Sequence, residues 1–231
     1  MQSNTLETLT RAHMGEQAFS IERIHFVKTD RRHNPKKVTP YKYFPGTLPV
    51  LVSAPHAVRH IRHKKIKPSD EFTGSMAYLL NQITSCHSLA ITKLYGGDPN
   101  FDTQCIYKDF ISRLTAEHRL KLIIDLHGAS RTHGFAIDIG TMNGVSLLDQ
   151  NRYRDILKKS LLNYDITPIS ENKYTISGNK TITAHASENL GIPALQLEIN
   201  KKYRSPNQNA ADYCRIMAAL VDFINAVINE Q

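Results

Sequence analysis

Two histidines and a glutamate stand at or near the ends of apolar segments of this chain. His56 follows the run LPVLVSAP, His127 follows KLIIDL, and Glu198 lies near the end of ALQLEI. An ionised carboxylate buried without a partner is costly, so Glu198 in an apolar strand requires a positively charged neighbour. A cation shared by the three side chains would be that neighbour.

The residue types are those of a catalytic zinc site. Such a site has three protein ligands, from histidine nitrogens and carboxylate oxygens, and an open position for water. His56 and His127 are two candidate ligands. Either Asp70 or Glu71 is the third, and the residues alone leave that choice open. Glu198 is then the carboxylate that takes a proton from the water. We expect one zinc ion per chain.

Each of these side chains also has an ordinary structural explanation. A histidine after a strand is most often a hydrogen-bonded loop residue. Glu198 alternates with Gln196 in ALQLEI, so both side chains could lie on the solvated face of a strand. Their joint placement at one end of a sheet favours the metal site. Asp125 precedes His127 by two residues, on the same face of a strand, and is predicted to hydrogen-bond that imidazole as a ligand's partner.

The surrounding pattern predicts the strands and helices that must bring these side chains together. Short apolar runs predict strands, and apolar residues at helical spacing predict helices, with Ser69 as the N-cap of the first long helix. The predicted strands cover residues 21–28, 48–54, 88–94, 121–126, 133–140 and 194–199. The predicted helices cover residues 72–83, 101–118, 146–162 and 207–228.

Alternation of strands with helices predicts an α/β protein. We expect a single domain over residues 1–231, with a mixed, mostly parallel sheet and helices on both faces. Residues 1–40 are predicted to be a polar lead followed by an edge strand. In such sheets ligands bind beyond the carboxyl ends of the strands, where the candidate side chains fall.

Composition narrows the classes of partner. The 231 residues carry a net charge of +8, much of it in residues 31–42 and 59–67, which favours a small anionic partner. No nucleic-acid-binding motif accompanies this charge, so nucleic acid is not the expected partner. His60, His63, His87 and His118 are expected at the surface. The sequence leaves a homo-oligomer open.

Apolar segments and cysteines indicate the cellular location of the protein and whether it has disulfides. No apolar run approaches the roughly 18 residues of a membrane span, and no secretion signal is visible, so we expect a cytoplasmic protein without a membrane partner. Cys86, Cys105 and Cys214 are odd in number and far apart, which predicts neither disulfides nor a cysteine metal site.

Five short blocks resemble the N-formylglutamate amidohydrolase family, which is related in fold to zinc carboxypeptidases and aspartoacylase-like deacylases. They are PVLVSAPHAVRHIR (49–62), KIKPSDEFTG (65–74), GGDPN (96–100), LIIDLHGAS (122–130) and PALQLEINKKYR (193–204). The resemblance implies a fold of the zinc-peptidase type and hydrolysis, with a single zinc ion, of an amide on an acidic amino acid. It extends over roughly residues 49–204.

The resemblance also implies roles for individual residues. It makes His56, Asp70 and His127 the zinc ligands, so that Asp70 rather than Glu71 is the third, and it makes Glu198 the catalytic glutamate. Arg204 is implied as the residue that holds a substrate carboxylate, with Arg62 and Asn100 as further substrate-binding candidates.

Two other functions remain open at this level. One is a carboxypeptidase-like or amidase-like enzyme that acts on peptide or cell-wall fragments. The other is a basic module, with a decayed active site, that binds nucleic acid or another anion.

Overall fold

A seven-stranded mixed sheet forms the centre of the protein. The computed structural model describes residues 11–27, 39–94, 96–174 and 180–229. Its strands are β1 (Tyr41–Phe44), β2 (Leu48–Ala54), β3 (His60–Arg62), β4 (Lys65–Lys67), β5 (Cys86–Ile91), β6 (Leu122–Ala129), β7 (Ile137–Gly140), β8 (Ile169–Glu171) and β9 (Ala194–Asn200). The sheet order is β1-β5-β2-β6-β9-β7-β8, and β3 pairs with β4 in a separate hairpin.

The central strands are parallel and apolar. Strands β5, β2, β6 and β9 run parallel to one another. Strand β1 pairs antiparallel with β5 on one side, and β7 pairs antiparallel with β9 on the other. Every residue of β9 is buried, as expected for a strand covered on both faces. The predicted α/β fold with a mixed, mostly parallel sheet is confirmed.

Helices cover both faces of the sheet. They are α1 (Arg11–Ile21), α2 (Thr73–Thr84), α3 (Ile106–His118), α4 (Arg152–Asn163), α5 (Ile182–Ala184), α6 (Lys201–Arg204) and α7 (Ala210–Asn229). Helices α1, α2 and α4 each pack against α7 on one face. On the other face lies α3, whose Tyr107 hydroxyl donates to the Leu89 carbonyl.

Helix α2 begins at a point that the sequence did not reveal. Its N-cap is Phe72, which has a positive φ of 69° and no side-chain cap, so the prediction of Ser69 as the N-cap is wrong. The Phe72 amide instead donates to Glu22 Oε1 at 2.9 Å. A carboxylate from a distant segment therefore satisfies this helix start, where the helix dipole also favours negative charge.

Part of the predicted secondary structure is wrong. The strand and N-terminal edge strand expected over residues 21–28 are helical as far as residue 27, because α1 continues into a π-helix at Glu22–Val27. Residue 28 lies outside the described residues. The strand expected from 133 begins only at Ile137. Strands β1, β3, β4 and β8 were not predicted.

Two further findings concern membrane-spanning helices and the state of the cysteines. Among the described residues, no helix combines the length and apolar character that crossing a membrane requires. Cys86, Cys105 and Cys214 are free thiols, and Cys86 and Cys214 are buried.

Candidate functional site

Neighbouring parallel strands carry the candidate residues to one edge of the sheet. His56 lies two residues beyond the end of β2, His127 lies in β6, and Glu198 lies in β9. His127 and Glu198 are direct register partners across the β6–β9 ladder, so their side chains stand on the same face. The sheet thus brings together three groups that are far apart in sequence.

Asp70 lies between the two histidines. It occupies the loop before α2, and its backbone amide donates to the His56 carbonyl at 2.8 Å, which ties this loop to the end of β2. Asp70 Oδ2 lies 3.2 Å from His127 Nδ1 and 3.5 Å from His56 Nδ1. Both imidazoles therefore present the same nitrogen to one carboxylate.

Two further carboxylates contact the opposite nitrogens of the two imidazole rings. His56 Nε2 lies 2.7 Å from Asp98 Oδ1, and His127 Nε2 lies 3.0 Å from Asp125 Oδ2. Asp125 in turn accepts a hydrogen bond from Ser53 Oγ at 2.9 Å. Carboxylates in this position fix ring orientation, so the predicted role of Asp125 as a partner of His127 agrees with the geometry.

The charges of the cluster reinforce one another. Burial alone would raise the pKa of Asp70, but hydrogen bonds to His127 and His56 hold it well below its usual range. Burial alone would lower the pKa of His127, but Asp125 and Asp70 raise it well above the ordinary value. Asp70 is consequently ionised.

The donor atoms fit a single metal ion. One ligand atom from each of His56, Asp70 and His127 can be chosen so that all three lie within 4.8 Å of one another. Asp98 and Asp125 occupy the Nε2 atoms, which leaves the Nδ1 atoms facing Asp70 as ligands. Two imidazole nitrogens and one carboxylate oxygen are the donor set of a catalytic zinc site.

A second group of donors overlaps the first. His56, His60 and Asp98 also lie within ligand distance of one another, and the rings of the two histidines stack with centroids 3.8 Å apart. Arg62 Nε, however, lies 2.6 Å from Asp98 Oδ2. A guanidinium at that carboxylate repels a cation, so the cluster with Asp70 is the better metal site.

Glu198 is a buried carboxylate at the same edge. It is 8% exposed, and Gln196 Nε2 donates to its Oε1 at 3.0 Å. Burial raises the pKa of Glu198, and the charge of His127 opposes this shift. A carboxylate with a raised pKa is better suited to accept and return a proton near neutral pH.

His56, Asp70, His127 and Glu198 line a cavity of about 820 Å³. Two of the predicted substrate-binding residues, Arg62 and Asn100, also line it, but both make contacts within the protein. Asn100 Oδ1 accepts from the Ile182 amide at 2.7 Å, and its Nδ2 lies 3.1 Å from His127 Nε2. Asn100 therefore links the loop before α3 to the start of α5.

Glu71 and Arg204 lie apart from this cavity lining. Glu71 forms an ion pair with Lys201, with Oε2 and Nζ 2.8 Å apart, and does not face the histidines. Arg204 is 5% exposed, and its guanidinium packs so closely on Gly128 that an added Cβ there would overlap it. Its Nε and Nη1 atoms have no hydrogen-bond partner among the described residues.

The sequence did not point to Asp98 and His60 as members of the cluster. Asp98 is fully buried and contacts His56, His60 and Arg62. It lies in the GGDPN block but was not predicted as a site residue. Its position in a loop after a predicted strand was the available signal. His60 and His87 were expected at the surface, and both are buried, so that prediction is wrong for them. His60 stacks on the His56 ring, and His87 Nδ1 lies 2.7 Å from the Tyr43 hydroxyl; the local sequence contains neither contact.

Comparison with solved structures shows that this α/β fold also occurs in other proteins. An N-formylglutamate amidohydrolase from Ralstonia eutropha JMP134 matches with a TM-score of 0.54 and 11% identity, covering 83% of this chain and 98% of that one. A gene product from Agrobacterium tumefaciens matches with a TM-score of 0.59 and 12% identity, covering 89% and 100%.

A third similar structure is a succinylglutamate desuccinylase from Chromobacterium violaceum, with a TM-score of 0.50 and 15% identity, covering 94% of this chain and 77% of that one. No protein-family model matches the chain, and neither does any curated protein. The family resemblance read from the sequence is therefore supported at the level of the fold.

Proposed function

We propose that the protein is a zinc-dependent amidohydrolase that cleaves the amide bond of an N-acyl acidic amino acid, with N-formyl-glutamate as the first substrate to test. The observation that carries the proposal is the cluster of His56, Asp70 and His127, whose donor atoms fit one ion beside Glu198. The similar fold of an N-formylglutamate amidohydrolase supports the same reaction class.

The residues divide the chemistry between them. Zinc held by the three ligands would supply a Lewis acid for the scissile carbonyl and make water more acidic. Glu198 accepts a proton from the attacking water at its carboxylate and delivers it to the leaving nitrogen. Asp98 and Asp125 keep the imidazole rings oriented.

Arg62 is the better placed of the two arginines for a substrate carboxylate. It lines the cavity and uses its Nε on Asp98, which leaves the outer nitrogens of a bidentate fork. Arg204, predicted from the sequence for this role, lies behind Gly128 and does not line the cavity. Its Nε and Nη1 atoms, which have no hydrogen-bond partner among the described residues, keep it a second candidate.

A second function is favoured by the size of the cavity. Cavities of roughly 300–1,000 Å³ hold ligands of drug size, and this one has about 820 Å³. A carboxypeptidase-like or amidase-like activity on a peptide would use the same ligands and the same general base. Neutral peptides cleaved faster than acidic N-acyl amino acids would favour this second function.

Metal content and activity test the proposal together. We expect about one zinc per chain in protein purified without chelator, and release of free amine from N-formyl-glutamate. His127→Ala removes one of three ligands and should reduce the zinc content nearly to zero. Zinc content unchanged in His127→Ala would show that the proposed site is wrong.

The neighbouring carboxylates offer a matched pair of variants. Asp70→Asn removes a charge between the two histidines, whereas Glu71→Gln removes one that pairs with Lys201 at the surface. We expect Asp70→Asn to lose tight zinc binding and Glu71→Gln to retain it, as measured by zinc titration. The reverse result would assign the third ligand to Glu71.

A further inference from the structure

The exposed side of the cavity differs in charge from its buried side. Four basic side chains line the cavity near solvent, and we call them the cationic rim: Arg62, His63, Lys67 and Lys180. Three of them belong to the β3–β4 hairpin and its turn. The hairpin is anchored beside the candidate metal site, because the Ile61 amide donates to the Gly97 carbonyl at 3.1 Å.

The lysines of the rim have no acidic partner in the described part of the chain. Some lysines elsewhere do: Lys158 Nζ lies 2.6 Å from Glu171, and Lys201 Nζ lies 2.8 Å from Glu71. For Lys67 and Lys180 no carboxylate of a described residue lies within ion-pair distance, although both line the cavity. Their charge is therefore free to attract anions that enter the cavity.

The ring of Phe101 contacts three residues of the cationic rim. Lys180 Nζ lies 5.0 Å and Arg62 Cζ lies 5.5 Å from the centre of the Phe101 ring, and the His63 ring lies 4.7 Å from it. Cation–π contacts of this kind attract a cation without neutralising it. Phe101 thus helps to hold the positive charges near one another at the cavity opening.

The cavity is also larger than a single N-acyl amino acid requires. Its volume of about 820 Å³ falls in the range of roughly 300–1,000 Å³ that holds drug-sized ligands. An N-formyl amino acid is much smaller than such ligands and would occupy only the part next to His56, Asp70 and Glu198. The remaining part is open to further groups of a longer substrate, and Lys67 and Lys180 also line this cavity.

We propose that the lysines of the cationic rim, Lys67 and Lys180, bind additional carboxylates of an acidic chain joined by amide bonds, so that the acyl group of the substrate is itself a glutamyl or aspartyl oligomer. The inference rests on the proposed function for the position of the cleaved bond. Hydrolysis adds the elements of water: the hydroxyl forms a bond to the acyl carbon, the C–N bond breaks, and the proton passes through Glu198 to the nitrogen.

Length-dependent binding tests the inference. Fluorescein-labelled di-glutamate and hexa-glutamate, each in α-linked and γ-linked form, are titrated against the full-length Glu198→Gln protein, and the fluorescence anisotropy gives the Kd. We expect the hexamer of at least one linkage to bind several-fold more tightly than its dimer. The linkage that binds more tightly shows whether the acidic chain is an α-linked peptide or a γ-linked oligomer. Equal affinity for both lengths in both linkages would overturn the inference.

Two lysines of the same strand provide matched variants. Lys65 and Lys67 are both exposed in β4, but only Lys67 lines the cavity. Reversal of one exposed charge should weaken hexamer binding by roughly three- to tenfold in Lys67→Glu. Lys65→Glu makes the same change in net charge and should weaken it by less than twofold. Equal losses in the two variants would show only a general charge effect and would contradict the proposal.

Two controls separate this inference from the proposed function. Hydrolysis of N-formyl-glutamate by the wild-type protein reports on the proposed function alone, whatever the oligomers do. A fluorescein-labelled hexanucleotide of single-stranded DNA tests the competing polyanion. If it binds more tightly than hexa-glutamate, and Lys67→Glu weakens it equally, the rim recognises phosphates and the inference is wrong.

Discussion

Two buried glutamates in this protein have the same burial and opposite surroundings. Glu198 is 8% exposed and Glu22 is 6% exposed, and burial raises the pKa of both. Glu198 lines the cavity beside His127. Glu22 lies away from the cavity lining, where its Oε1 accepts from the Phe72 amide and its Oε2 has no hydrogen-bond partner among the described residues.

The difference shows what a buried carboxylate needs in order to be useful in catalysis. Both groups take up a proton more readily than an exposed glutamate, but only Glu198 can pass that proton to a molecule in the cavity. Glu22 serves the fold by satisfying the start of α2. A raised pKa alone therefore does not identify a general base, and access to the cavity does.

The largest expected effect is on turnover. Glu198→Gln keeps the shape of the side chain and the acceptor for Gln196 but cannot take a proton, so kcat should fall by roughly 10²–10⁴ with zinc content unchanged. Glu22→Gln is the matched control, since it is the same substitution at equal burial, and it should retain most activity. Near-normal turnover in Glu198→Gln would exclude Glu198 as the base.

An intermediate effect is expected at the carboxylate behind His56. Asp98→Asn removes the charge that faces His56 Nε2 at 2.7 Å, and loss of such a partner lowers metal affinity by roughly 10–100-fold. Competition with a chelator of known affinity measures this change. Asp109→Asn, at an exposed position in α3, controls for the loss of a charge. If the two variants bind zinc equally well, Asp98 does not support the metal site.

The smallest expected effect is on stability and depends on pH. The pKa of Glu22 is about 7 in the folded protein and about 4.5 when unfolded. Between these values the folded state binds more protons, so this group makes stability fall as pH rises. Above pH 7 the ionised Glu22 therefore destabilises the fold, and Glu22→Gln should stabilise it there by roughly 1–3 kcal/mol.

Urea unfolding at several pH values, with chelator present, measures this difference. The variant should be close to the wild type at pH 4.5 and exceed it at pH 8, because at pH 4.5 both side chains are neutral in the folded state. Glu117→Gln, at an exposed position, should show no such trend. A gain in Glu22→Gln that is the same at both pH values would contradict the assignment of burial as its cause.

The central strands could be predicted because one physical property dominates there. In β2 and β6 an apolar run precedes the polar site residue, and in β9 apolar residues alternate with Gln196 and Glu198, so these polar residues stood out as candidates for the site. His56, His127 and Glu198 were found in this way, and the structure places them at one edge. Their burial, which the sequence alone left open, comes from the structure.

Other elements depend on contacts that no local pattern contains. Residues 21–28 alternate like a strand, but Glu22–Val27 continue α1 as a helix and bring Glu22 to Phe72. Asp98 lies in a Gly- and Pro-containing loop, where nothing in the sequence reveals that it is buried. The β3–β4 hairpin was hidden because its exposed residues are mostly basic.

The separation of the candidate ligands along the chain has a consequence for the order of folding. His56, Asp70 and His127 come from three segments, and β6 reaches the sheet edge only when paired with β2 and β9. Non-local pairings of this kind form late, because the closure of long loops must precede them. Tight zinc uptake during refolding would then be a late event that reports completion of the central sheet, and no single contiguous fragment containing only one of these segments would show it.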